Sequence, residues 1–185
     1  MIPAGKFGTI ARIGSFGRNR EGVAAVEFAA VLPFMLIAYL GSVEVGNGVA
    51  IDLRVTQTAH TVADLATQFL SIDNSGMSNI LNASAAVLAP YSSSPVVVTV
   101  SEVTTNAAGK GTITWSDSLN GTARPVGQSV TLPTQLQTAN VSFIWAEVSY
   151  SYRPTMGYVM TGTLSLSDQV FMYPRLANSV TRVNS

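Results

Sequence analysis

Apolar and polar positions change their rhythm three times along this chain. Residues 28–43, "FAAVLPFMLIAYLGSV", carry no charge. Extended to Val23 on one side and Ile51 on the other, the run exceeds the ~20 apolar residues that cross a ~30 Å bilayer core. Pro33, Gly41, Gly46 and Gly48 interrupt it, and membrane helices tolerate such residues better than soluble ones do. Beyond Asp52 the period is that of an amphipathic helix. Val55, Ala59, Val62, Ala66 and Phe69 recur at steps of four and three, the spacing of one helical face. Arg54, Gln57, His60, Asp64 and Gln68 fall on the remaining surface. No Pro or Gly lies within residues 49–72, so the two segments are expected to form one continuous rod.

"IDNSGMSN" then predicts a break, with Asp73, Asn74, Ser75 and Gly76 as turn residues. A short helix over residues 77–89 is expected to end before Pro90. The second half reads as strands. "PVVVTVSEVTT" sets Val96, Val98 and Val100 against Val97, Thr99 and Ser101 and is strongly β-branched. "NAAGKG" turns the chain, and "GTITWSDSL" returns with Ile113 and Trp115 expected on one side. "NVSFIWAEVSYSYRP" alternates Val141, Phe143, Trp145 and Glu147 with Ser142, Ile144, Ala146 and Val148. "GTLSLSDQVFMYP" supplies the last strand, with Leu164, Leu166 and Asp168 on one side, continued by Val170 and Met172. The expectation is an α+β fold: a long N-terminal helix whose Val55–Phe69 face packs on a C-terminal antiparallel sheet of about four strands. The predicted divisions are a leader (1–22), a transmembrane stem (23–51), a helical region outside the membrane (52–89) and a sheet region (90–185).

Composition supports the membrane reading. Of the 185 residues, 47% are apolar and only 11% charged, against ~25% charged in soluble domains. Lys6, Arg12, Arg18 and Arg20 precede the apolar run, opposed there by Glu21 alone. Basic residues before such a run mark the cytoplasmic side, which puts the rest of the chain across the membrane. The body lacks the basic face a nucleic-acid partner needs, so none is expected. The chain has no cysteine, which excludes disulfides and thiolate metal sites.

Glu27 and Glu44 bracket the uncharged run. A charge in the hydrocarbon core costs roughly 2.5–3.5 kcal/mol even on insertion scales, so each carboxylate should sit at an edge, be paired, or serve a function. One reading puts Glu27 in the headgroup region, paired with Arg20 or alone. The surrounding sequence offers another. Gly22 is followed by Val23-Ala24-Ala25-Val26, then Glu27 and Phe28, then the apolar helix. A basic leader ending in Gly, four residues, Glu-aromatic and a hydrophobic stem resembles the class III prepilin pattern. In particular "REGVAAVEFAAVLPFMLIAYLGSVEVG" is similar to the core of the TadE-like family, pseudopilins of the tight-adherence (Tad, Flp, type IVb) pilus, and "RVTQTAHTVADLATQ" extends the likeness to about residue 70.

That resemblance implies a pilin-like fold and a pilus-assembly role. A prepilin peptidase would cut between Gly22 and Val23, leaving Glu27 as the fifth residue of the mature chain. There it would meet a newly exposed α-amino group, and a carboxylate in a low-dielectric setting gains strongly from an opposite charge. The processing residues implied are Gly22, Val23, Glu27 and Phe28. Ala24, Ala25, Ala29, Ala30 and Gly41 are small enough for stems to pack closely, and Glu44 is read as an anchor at the outer interface. Phe28 departs from the Tyr usual in major Flp pilins. With the large exported domain, this favours a minor pilin or pseudopilin. The implied partners are the prepilin peptidase, other pilins and pseudopilins, the Tad inner-membrane assembly machinery and inner-membrane lipid. The implied location is the bacterial inner membrane, N-terminus cytoplasmic and C-terminal domain periplasmic, with incorporation into an extracellular pilus. Two competing readings are a single-pass, membrane-anchored periplasmic binding domain without processing, and a secreted protein cut after "GVA" at residues 48–50.

Nothing else in the sequence points to chemistry. His60 is the sole histidine and lies on a polar helical side without companion ligands. Glu102, Asp117, Glu147 and Asp168 are scattered over strands and turns. "NAS", "NGT" and "NVS" at residues 82, 120 and 140 match the glycosylation pattern, which arises easily by chance. No phosphate loop or nucleophile elbow occurs. The chain is read as a non-enzyme without metal or cofactor.

Overall fold

A computed structural model describes residues 20–154 and 162–183. The expected leader therefore lies outside the described residues except for its last three positions. The first element, α1, is a helix of 48 residues from Arg20 to Thr67. It is unbroken through Pro33 and across Asp52, where the sequence changes from membrane-like to amphipathic. Its last carbonyl, on Thr67, accepts a bond from the Arg175 backbone N–H at 3.0 Å, so a distant segment supplies the C-terminal cap. The Arg175 guanidinium also pairs with Asp64 in the last turn.

β1 (Ser71–Ile72) follows, then α2 (Asn74–Leu88). The turn residues expected at 73–76 instead start this helix. Asp73 is its N-cap, with Oδ1 accepting the Gly76 N–H at 2.6 Å. That bond, with one from the Ser75 hydroxyl, lowers the Asp73 pKa, because both favour the charged carboxylate. Pro90 follows closely after the helix end.

The strands are β2 (Val96–Thr105), β3 (Gly111–Leu119), β4 (Ser129–Val130), β5 (Ser142–Tyr152), β6 (Leu164–Met172) and β7 (Thr181–Arg182). The main sheet has five antiparallel strands in the order β4-β3-β2-β5-β6, and a separate parallel pair joins β1 to β7. The expectation of about four strands thus misses the two-residue β4 and the β1–β7 pair. Segments this short carry no alternation to read.

The main core lies between one sheet face and the two helices. Val55, Ala59, Val62, Ala63 and Ala66 of α1 meet Val96, Val98 and Val100 of β2 and Ile144, Ala146 and Val148 of β5 in one cluster. Burying a Val side chain contributes roughly 1.5–3 kcal/mol, and Val55 and Val62 are fully enclosed. Phe69 departs from the predicted face: it lies beyond the end of α1 and is 38% exposed. A smaller cluster of Val103, Ile113, Leu132, Phe143 and Trp145 occupies the opposite sheet face.

Ile113 and Trp115 do not share a side as expected. The register between β2 and β3 shifts after Glu102, which pairs with Trp115, so that Val103 pairs with Ile113. The extra residue, Thr114, is a β-bulge, and it sends Trp115 into the main core and Ile113 into the smaller one.

Candidate functional site

The residues singled out on the stem lie along the lower half of α1. Val23, Val26, Phe28, Phe34, Met35, Ile37 and Tyr39 are 56–73% exposed, an arrangement that water alone would disfavour. Gly22, Ala24, Ala25, Glu27, Ala29 and Ala30 are exposed on the same stretch, and nothing crowds Gly22 within 4 Å. Gly22–Thr67 contains the one stretch among the described residues long and apolar enough to cross a membrane, and none of that stretch is buried. It is compatible with a single-pass membrane anchor.

Farther up, α1 enters the folded domain. Gly41 is buried, and Glu44 is only 3% exposed, so the structure encloses this carboxylate rather than displaying it on the helix surface. Tyr152, at the end of β5, lies alongside: a Cβ added at Gly48 would meet its ring at 3.7 Å. Burial, and then the Glu44 charge, push the Tyr152 phenol above its ordinary value. At the other end of the domain, Arg175 meets Thr67 and Asp64. The upper half of α1 therefore runs the length of the sheet, antiparallel to β5.

A second constellation was not legible in the sequence. Glu102 of β2 is 2% exposed, and its Oε1 accepts the Val180 N–H at 2.8 Å. The Trp115 indole N–H donates to the Val180 carbonyl at 2.7 Å. Two side chains thus satisfy both backbone groups of one buried residue. Burial pushes the Glu102 pKa up, opposed by the bonds from Val180 and Trp115. Around Val180, Thr181 N–H donates to Leu70, Val183 N–H donates to Ile72, and Arg182 pairs with Asp117 at 2.9 Å. Residues 175–183 form a strap fastening the top of α1 and the start of α2 to the sheet. A lone glutamate inside "VSEVTT" gives no hint of this, since its partner lies 78 positions away.

On the sheet face away from the helices, Arg124 grips Glu147 through two nitrogens at 2.9 and 2.7 Å. The guanidinium lies 4.1 Å above the Trp145 ring, which stacks on Phe171. A shallow groove of about 760 Å³ runs beside this pair, lined by Thr99, Ser149, Ser167 and Gln169 among others. His60 is exposed on α1. Among the described residues, no three His, Asp or Glu side chains gather to hold a metal. Of the other acids, Asp117 and Glu147 are ion-paired, and Asp168 accepts the Gln169 N–H. Asn120 and Asn140, in the sequons, adopt positive φ of 55° and 59°, which asparagine tolerates in turns. The geometry is that of an exposed apolar rod presenting a rigid sheet domain.

Residues 22–64 match the family model for TadE-like proteins, so over that stretch the chain is similar to that family. No curated protein and no solved structure matches it.

Proposed function

From this TadE-like stem, we infer that the protein is a minor pilin or pseudopilin that takes part in assembling a Tad (Flp, type IVb) pilus. The match supports the coarser statement, a Tad pilus-associated protein, from a family not known for enzymatic activity. The observation that carries the finer reading is a single helix whose lower half is apolar and bare while its upper half bears the sheet domain. Gly22 stands where the matched segment begins.

In this reading the leader and Arg20 stay in the cytoplasm. The stem lies in the inner membrane from residue 23 to about residue 43, its continuation to residue 51 enters the sheet domain, and that domain projects into the periplasm. A prepilin peptidase cuts between Gly22 and Val23. The new amino group of Val23, on this chain or a neighbour, then neutralises Glu27 at the membrane edge, where an unpaired carboxylate is costly. Ala24, Ala25, Ala29 and Ala30 let another stem approach closely. The sheet domain faces other pilins or the Tad assembly machinery.

Determining the mature N-terminus of protein from native membranes, by intact mass and terminal peptide sequencing, tests this. The expected start is Val23, lost when the peptidase is inactivated or Gly22 is replaced by a bulky residue. A start at Met1 overturns processing and leaves a membrane-anchored domain. A start at Ile51 makes the chain a secreted protein.

A further inference from the structure

The base of the sheet domain lies at a height set by the stem. From Val23 to Val43, α1 rises about 30 Å at 1.5 Å per residue, the thickness of a bilayer hydrocarbon core. The polar headgroup layer adds roughly 5–8 Å on each side, which takes α1 from Glu44 to about Gly48. Over the same stretch the domain closes on α1: Gly41 and Glu44 are already buried, and Gly48 faces the Tyr152 ring.

The surface found there suits a membrane interface. A pocket of about 470 Å³ is lined by Asn47 of α1, Tyr91 of the loop after α2, Tyr150 and Tyr152 at the end of β5, and Arg153 just beyond it, among others. Tyr91 is half-buried there, and Tyr150 and Tyr152 are buried in the pocket wall at 6% exposure each; tyrosine, with an apolar ring and a polar tip, suits a wall at headgroup level. Arg153 is exposed there, its Nε donating to the Thr163 hydroxyl at 3.2 Å. Guanidinium groups suit phosphate oxygens. The acid at this height, Glu44, is enclosed at 3% exposure and so does not present its carboxylate to the headgroups. On the side of α1 away from the sheet, Val45 and Val49 are 50% and 56% exposed, which continues the apolar surface through the same layer.

We propose that the base of the sheet domain docks on the membrane surface from which the stem emerges, its tyrosine-lined pocket and Arg153 receiving phospholipid headgroup phosphate. This rests on the anchored reading of the stem and adds a second contact with the lipid. The sheet then stands upright on the bilayer. Asn106–Gly109, at the turn between β2 and β3, points away from it, about 30 Å higher along β2 at ~3.3 Å per residue.

Because the chain has no cysteine, single labels can be placed cleanly. Ala38→Cys, Ser151→Cys and Ala107→Cys, all at exposed positions, would each carry an environment-sensitive fluorophore. The full chain would be reconstituted in phosphatidylcholine–phosphatidylglycerol nanodiscs. Lipids spin-labelled in the acyl chain should quench Ala38, lipids labelled at the headgroup should quench Ser151, and neither should quench Ala107. Arg153→Glu should lower the docked-to-undocked ratio read at Ser151 by at least about fivefold, the loss of one cation at an anionic surface being compounded by the added negative charge, while Arg153→Lys should largely retain it. If Ala38 escapes quenching, the anchored reading fails and the docking with it. If Ala38 is quenched but Ser151 behaves like Ala107, the anchor stands and the docking is overturned. A quenched Ser151 that ignores Arg153→Glu overturns the role given to Arg153.

Discussion

Trp115→Phe isolates one bond of the strap. Trp115 is 5% exposed, and phenylalanine keeps most of its apolar contact with the core. What is lost is the indole N–H, which donates to the Val180 carbonyl at 2.7 Å. Val180 is fully buried, so its carbonyl is left without that donor. Stranding a buried polar group costs roughly 1–3 kcal/mol. Taking about 1–2 kcal/mol here, local opening of the strap becomes roughly 5–30 times more frequent. The reporters are built in: the amides of Arg175, Thr181 and Val183 donate to Thr67, Leu70 and Ile72. Native-state hydrogen exchange on the full chain in nanodiscs should show these three amides exchanging faster by that factor. Amides joining β2 to β5 should be unchanged, since local openings differ in free energy across a structure. If Thr181 and Val183 keep their wild-type rates, the Trp115–Val180 bond does not hold the strap. If every amide accelerates equally, the strap is no separate unit and the reasoning fails at that point.

Two further outcomes are expected. Burial raises the Glu102 pKa in the folded state, so between the ordinary Glu value and the raised one the folded chain holds more protons than the unfolded chain. The stability that Glu102 contributes should therefore be fully present below the ordinary Glu range and be lost as pH rises through that window. Glu102→Gln keeps an oxygen acceptor for the Val180 N–H and should flatten the fall, seen as a pH-independent protection factor for the Val180 amide; an undiminished slope would assign the titration elsewhere. Gly109→Ala and Gly127→Ala separate conformation from collision. Both glycines have positive φ, 74° and 83°, but a Cβ at Gly109 would meet the Gln137 carbonyl oxygen at 2.5 Å and one at Gly127 meets nothing within 4 Å. Left-handed backbone costs ~1–2 kcal/mol, so both variants should lower the thermal midpoint and Gly109→Ala by clearly more. Equal losses would show that the contact with Gln137 carries no weight.

The order of elements was written in local pattern. The uncharged run, the four-and-three steps of Val55, Ala59, Val62 and Ala66, and the alternation of β2, β5 and β6 each repeat over several turns or pleats. A repeat that long is decided by neighbours in sequence. The likeness of Gly22–Phe28 and the stem to TadE-like proteins was legible for the same reason, being contiguous. Tertiary structure decided everything that joins distant residues. Asp73 reads as a turn residue and caps a helix because Gly76 follows in helical geometry. Thr114 reads as an ordinary strand residue, yet as a bulge it sends Ile113 and Trp115 to opposite faces. Glu102 is a lone acid until Val180 closes over it, and β1 has no strand signal until β7 pairs with it in parallel. Glu44 reads as an anchor at the outer interface of the stem, and the fold buries its carboxylate near Tyr152. Burial and hydrogen-bond satisfaction are properties of the assembled neighbourhood, so no window of sequence contains them.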